Sequence, residues 1–160
     1  MNPIEGRLCS ASRAEYSEVA MPNDANPLGS LFGGKVMALV DLAASIAAHR
    51  HARCPVVTAS IDHMNFLYPV KIGELVVCSS QVNRVFRTSM EVGVRVMVEN
   101  MSTGEKRHTS SAYLTFVALA PDGGRVPLPA VIPETDDERR RFEEALLRRE
   151  SRLQLRSRSK

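Results

Sequence analysis

The chain has 160 residues, 44% hydrophobic and 24% charged, with a formal net charge of +3, which suits one soluble domain plus a tail. No apolar run approaches the ~20 residues that span a bilayer, so stable membrane insertion is excluded. The charged stretch Met1 to Ala20 lacks the apolar segment of a signal peptide. The three cysteines, Cys9, Cys54 and Cys78, are scattered and match neither a disulfide framework nor a zinc motif, so no metal is expected and a reducing, cytoplasmic setting is.

Leu8 to Val19 reads as a first strand. Met21 to Gly34 then holds two prolines and three glycines, an ordered loop long enough to be functional. From about Gly33 to Arg53 apolar residues surround the helical wheel, among them Val36, Met37, Leu39, Val40, Leu42, Ala43, Ala44 and Ala47. A helix apolar all round is buried, and cations at His49, Arg50 and Arg53 suit its C-terminus. Strands are predicted over Val56–Tyr68, Glu74–Phe86, Met90–Glu99 and His108–Ala120. Met90, Val92, Val94, Val96 and Val98 alternate with Glu91, Gly93, Arg95, Met97 and Glu99 in a period of two. One long helix among strands predicts an α+β fold, an antiparallel sheet wrapped around the helix.

Pro121 to Pro133 carries four prolines and two glycines and reads as a linker or extended arm. Thr135-Asp136-Asp137-Glu138 matches a capping box that opens a helix, on which Phe142, Leu146 and Leu153 recur at helical spacing. These elements divide into a core domain over residues 1–130 and a C-terminal helical, basic tail over 131–160. Residues 1–133 hold 12 basic and 11 acidic side chains, and residues 134–160 hold 9 and 7. The core is therefore nearly neutral and offers no basic face for nucleic acid. The tail helix is expected to dock on a neighbouring subunit, since a lone helix of this length is marginal.

Asp41 falls mid-helix among apolar residues, and its neighbours at three and four positions include no cation. Burying a lone carboxylate is costly, so a partner must come from elsewhere in the fold or from another subunit, and such carboxylates favour functional sites. Gly33-Gly34 at the helix start leaves unpaired N–H groups at the positive end of the dipole, open to a ligand oxygen. Asn23, Asp24 and Asn26 form a polar cluster upstream whose residue types also suit turns. No nucleophile elbow or catalytic triad is present. The remaining chemistry is a carboxylate acting beside an oxyanion site.

The run Met21-Pro22-Asn23-Asp24-Ala25-Asn26, then Gly29, Phe32-Gly33-Gly34, Met37 and Asp41 resembles the signature of the hotdog-fold acyl-CoA thioesterases. The branch is that of the short bacterial acyl-CoA thioesterases and brain-type acyl-CoA hydrolases. Phe66-Leu67-Tyr68-Pro69-Val70 with Gly73-Glu74, and Thr88-Ser89 leading into a strand, are similar to the same branch. The resemblance covers about residues 8–130. It implies hydrolysis of fatty acyl-CoA to free acid and CoA, with no cofactor beyond the CoA of the substrate. It also implies a homo-oligomer, a dimer or a trimer of dimers, with active sites between subunits.

By the same resemblance Asp41 is the base or nucleophile, Asn26 of the other protomer orients water or thioester, and the Gly34 N–H receives the oxyanion. Gly33 and Phe32 adjoin that site; Phe32 stands where some relatives have His. Arg84, Arg87, Thr88 and Ser89 are candidates for binding CoA phosphate, because a cation and hydroxyls near a strand end suit that ligand. The competing reading is a non-catalytic acyl-CoA-binding regulatory module, against which Asp41 and the Asn26 loop argue. A dehydratase would pair the Asp with a His near the helix start, and the first His in the chain is His49.

Overall fold

The alternating segment forms a strand whose two faces do different work. Met90, Val92, Val94, Val96 and Val98 are buried in one core with the alanines of the long helix, while the opposite face carries Glu91, Gly93 and Arg95. The computed structural model describes residues 5–158. In chain order these are β1 (Arg7–Leu8), β2 (Ala14–Val19), α1 (Gly33–Ala52), β3 (Val56–Ile61), β4 (Leu75–Phe86), β5 (Ser89–Glu99), β6 (Lys106–Ala118), β7 (Val131–Ile132) and α2 (Asp136–Arg158). An antiparallel five-stranded sheet in the order β2-β4-β5-β6-β3 packs one face on α1. Small side chains permit that contact: Ala43, Ala44, Ala47 and Ala48 are fully buried. Ser80 of β4 donates its hydroxyl to the Ala43 carbonyl at 2.7 Å.

The antiparallel sheet around a helix is as expected, with several differences in detail. The first strand is interrupted by a 3-10 turn over Cys9–Ser12, closed by the Ser12 hydroxyl, which donates to Cys9 O and accepts from the Val82 N–H. The expected strand Val56–Tyr68 ends at Ile61, just beyond a bulge between Thr58 and Ser60. Residues 62–68 still track β6 through single hydrogen bonds, Asp62 N to Tyr113 O and Leu67 N to Thr109 O, each 2.9 Å. α1 is not buried all round in the protomer: Met37 and Leu42 are 40% and 47% exposed. Within the proline-rich arm, β7 pairs in parallel with β1. His51 holds the arm through a 2.8 Å hydrogen bond to Pro129 O, and burial lowers its pKa below the ordinary histidine value.

The tail helix seats against its own sheet rather than waiting for a neighbouring subunit, which corrects the expectation above. The capping box forms reciprocally: Glu138 N donates to Thr135 Oγ1 at 3.2 Å, and Thr135 N to Glu138 Oε2 at 3.1 Å. Glu138 itself is buried, receiving Gln81 of β4 at 2.6 Å and Arg13 at 2.9 Å. Further along, Arg148 pairs with the fully buried Glu91 at 2.7 Å and Arg152 with Asp62 at 2.9 Å. Gly93 makes room for this polar layer, since a Cβ there would come within 2.8 Å of the Asn83 amide that reaches Glu91. The sheet is thus covered by α1 on one face and by α2 on the other.

Candidate active site

The loop before α1 is built by its own polar side chains. Asn26 Oδ1 accepts from the N–H groups of Leu28 at 2.9 Å and Ser30 at 3.1 Å, an Asx turn that Gly29 completes at φ +77°. That leaves the Asn26 Nδ2 group without a hydrogen bond among the described residues. The loop then ties back through Phe32 N to Asp24 O at 2.7 Å and Leu31 N to Val70 O at 2.8 Å. Lys35 of the first helical turn pairs with Glu18 at 2.7 Å and Asp24 at 3.4 Å. These bonds fix where α1 begins.

At that start, Phe32 occupies the N-cap position without a side-chain cap. The Gly33 and Gly34 N–H groups have no acceptor among the described residues. A Cβ on Gly34 would overlap the Phe32 ring, so only glycine permits this ring position. The Phe32 and Phe66 rings flank the two glycines. Two free donors at the positive helix end, between aromatic rings, form a ready site for an oxyanion.

Asp41 lies on the half-exposed side of α1 rather than fully buried. Its partner comes from β3: Thr58 Oγ1 donates to Asp41 Oδ1 at 2.7 Å. The expectation of a partner from elsewhere in the fold is met by a residue the sequence reading did not single out. Thr58 sits in a β-rich run where a threonine is unremarkable; its only sequence signal is a hydroxyl in the strand that follows the Asp41 helix. The hydroxyl fixes one carboxylate oxygen and leaves the other free to accept a proton or attack. Ser45, one turn on, donates to Leu42 O at 2.8 Å and is satisfied within the helix.

Gly34 and Asp41 are seven residues apart, about 10 Å of helix rise. A single thioester group cannot touch both within one protomer. The surroundings are apolar and exposed: Leu28, Phe32, Met37, Leu42, Val57 and Phe66 range from 40% to 91% accessible. β3, which carries Val57 and Thr58, is an edge strand with one free ladder.

The candidate phosphate-binding residues divide. Thr88 and Ser89 open the β4–β5 hairpin, and Arg87 at its tip is exposed with φ +58°. Arg84 is turned toward α2 instead, donating to Phe142 O at 3.0 Å and stacking on the Phe142 ring at 4.1 Å. Burial pushes the Cys9 and Cys78 thiols up to about 11 and about 12, which removes them as nucleophiles at neutral pH. Among the described residues no cluster of three or more His, Cys, Asp or Glu side chains could hold a metal ion. No helix of the described residues is long and apolar enough to cross a membrane.

Residues 28–105 match the family model of the thioesterase superfamily. An uncharacterised acyl-CoA thioester hydrolase of Bacillus subtilis is 43% identical over 86% of this chain and 80% of its own length. An apo-hexameric acyl-CoA thioesterase superimposes with a TM-score of 0.91 at 40% identity, over 94% of this chain and 97% of the other. The acyl-CoA hydrolase of Staphylococcus aureus, solved with butyryl coenzyme A, coenzyme A and coenzyme A disulfide, gives 0.89 at 35% identity over 96% and 93%. Alanine variants of that enzyme at an aspartate, an asparagine and a threonine share the same fold. The chain belongs to the thioesterase superfamily, among its acyl-CoA thioester hydrolases.

Proposed function

We propose that this protein hydrolyses fatty acyl-CoA to the free acid and CoA, in the cytoplasm and in fatty acid metabolism, with no cofactor beyond the substrate's own CoA. The observation that carries the reading is the pairing of a Thr58-oriented carboxylate, Asp41, with unpaired N–H groups at Gly33 and Gly34 on one helix. The thioester oxygen lies against those two N–H groups, where developing negative charge meets fixed donors and the helix dipole. Asp41 either takes a proton from water as that water attacks the carbonyl carbon, or attacks it directly. The carbon–sulfur bond then breaks and CoA leaves as thiol, its sulfur taking the proton that Asp41 removed from water. Where Asp41 itself attacks, the sulfur takes a proton from water, and a second water cleaves the acyl–Asp41 anhydride to release the free acid and restore the carboxylate. The aspartate, asparagine and threonine replaced in the S. aureus relative are the residue types of Asp41, Asn26 and Thr58, of which Asp41 and Thr58 are in contact here.

The roughly 10 Å between Gly34 and Asp41 supports a site shared by two protomers, Asp41 from one and Gly34 with Asn26 from the other. The free β3 edge and the exposed apolar residues beside it supply a surface for that partner. A trimer of such dimers accords with the hexameric relative. Asp41→Asn tests the reading: kcat on a medium-chain acyl-CoA should fall by about 100-fold or more with an unchanged circular dichroism spectrum. A loss below about tenfold, 1.4 kcal/mol of barrier, would remove Asp41 from the chemistry. Mixed Asn26→Ala and Asp41→Asn protomers should recover part of the activity as subunits exchange; exchange without recovery would overturn the shared site.

A further inference from the structure

We infer that the groove between the C-terminal half of α2 and the outer face of β3 and β6 receives the phosphorylated nucleotide end of the CoA ester, gripped by Arg125, Arg149 and Arg156. The inference rests on the thioesterase reading and adds a substrate-recognition role for the tail helix. The groove encloses about 1260 Å³, more than the ~300–1,000 Å³ typical of small-ligand clefts.

Its charge is one-sided. Five arginines line it, Arg125, Arg148, Arg149, Arg152 and Arg156, against one carboxylate, Asp62. Arg152 is committed to Asp62, and Arg148 to the buried Glu91. Among the described residues Arg125, Arg149 and Arg156 form no ion pair. Arg149 lies over the Phe86 ring at 4.5 Å, a cation–π contact that holds its guanidinium at the groove wall. Apolar surface from Leu147, Leu153 and Leu155 lines the same groove. Thr115 Oγ1, also on its wall, is buried with no hydrogen-bond partner among the described residues. Three guanidiniums that form no ion pair among the described residues fit a nucleotide with several phosphate groups; a fatty acid brings a single charge. Thr88 and Ser89, proposed above for phosphate, line this groove as well, whereas Arg84 does not.

The groove adjoins the reaction site along two segments. On β3, Thr58 holds Asp41 while Ala59, Ser60 and Ile61 line the groove, so one strand spans both within a few residues. In the segment after β3, Phe66 lies against Gly33 and its neighbour Leu67 faces the groove. A thioester at the helix start can therefore extend its pantetheine arm along residues 62–67 toward α2.

The test compares octanoyl-CoA with S-octanoyl-pantetheine, which lacks the nucleotide. In Arg125→Ser/Arg156→Ser, both exposed positions, KM for octanoyl-CoA should rise about tenfold or more. Its kcat should move less than about twofold, and the pantetheine ester should be turned over as by wild type. Raising salt from about 50 to 300 mM should raise the wild-type KM for the CoA ester alone. Equal changes for both substrates, or none, would overturn the proposal. So would an altered mass of the double variant by light scattering, which would make the groove a subunit contact. Calorimetric titration with CoA separates this inference from the reading beneath it. Tight CoA binding that the double variant loses, in a chain that hydrolyses neither ester, keeps the groove and sinks the thioesterase reading. Equal CoA affinity in wild type and variant sinks the groove.

Discussion

Two helices of similar length lie on opposite faces of one sheet and are held by opposite physics. α1 presents Ala43, Ala44, Ala47 and Ala48, fully buried, to a wall of valines. Its attachment is shape and apolar burial, with about 25 cal/mol per Å² removed from water. α2 has a fully buried apolar residue in Ala145 and attaches through charge: Glu138 to Arg13 and Gln81, Arg148 to Glu91, Arg152 to Asp62. The alanine–valine contact of the first carries no charge and is intolerant of added volume. The second tolerates volume on its outer side and depends on each charge finding its partner. The carboxylate proposed for catalysis, Asp41, rides on the first helix, and Arg149 and Arg156 of the proposed nucleotide clamp ride on the second.

The largest effect should come from unpairing the most buried charge. Arg148→Ala leaves Glu91, wholly inaccessible, with the Asn83 amide at 3.0 Å as its remaining side-chain partner among the described residues. Removing one partner of a buried pair costs about 3–5 kcal/mol. Urea unfolding should show a loss of that order, and the Glu91→Leu/Arg148→Leu double variant should recover much of it. A double variant as unstable as Arg148→Ala would mean that packing, and not charge, fastens this end of α2. On the other helix, Ala44→Leu forces extra methylenes into a full core and should cost about 1–3 kcal/mol. That cost should be the same in low and high salt; a salt-dependent cost would blur the contrast between the helices.

Acid sharpens the contrast further. Burial alone would push the Glu138 carboxyl up, but hydrogen bonds from Glu134 N, Gln81, Thr135 N and Arg13 outweigh it and hold it at about 2. A depressed folded pKa contributes stability that is full above the unfolded value, 4.5, and is lost as pH falls through that value toward 2. The stability lost between about pH 4.5 and 2 should therefore be smaller in Glu138→Gln than in wild type, measured by chemical denaturation at each pH. Parallel curves for the two proteins would remove Glu138 from the acid response.

The same contrast explains what could be read from the sequence. α1, the alternation of β5 and the capping box at Thr135 are local patterns, and each is found where expected. Asp41 was legible because a carboxylate breaks an apolar helix. Thr58 was not, since its meaning is a contact across 17 positions in the chain. The docking of α2 was missed for the same reason: Glu91 looks like an ordinary outward residue of an alternating strand until Arg148, 57 positions away, covers it. Arg84, a candidate for CoA phosphate by its charge near a strand end, is taken up by Phe142 on the tail. Pairings at long sequence separation leave no periodicity to read.

The smallest expected effect lies at the entrance to α2. Thr135 is exposed and contributes one acceptor, Oγ1, to the Glu138 N–H at 3.2 Å. The return bond, Thr135 N to Glu138 Oε2 at 3.1 Å, uses the backbone and survives substitution. Thr135→Ala therefore removes half of the capping box and should cost about 1 kcal/mol, while Thr135→Ser should cost almost nothing. Since Glu138 keeps its bonds to Gln81 and Arg13, the loss should leave the acid midpoint of unfolding nearly in place. Hydrogen exchange at the first turn of α2 would show where the cost falls, with faster exchange confined to about residues 136–139. Acceleration spreading to Arg148 and beyond would mean that the cap fastens the whole helix, and that the three ion pairs hold it less firmly than their burial implies.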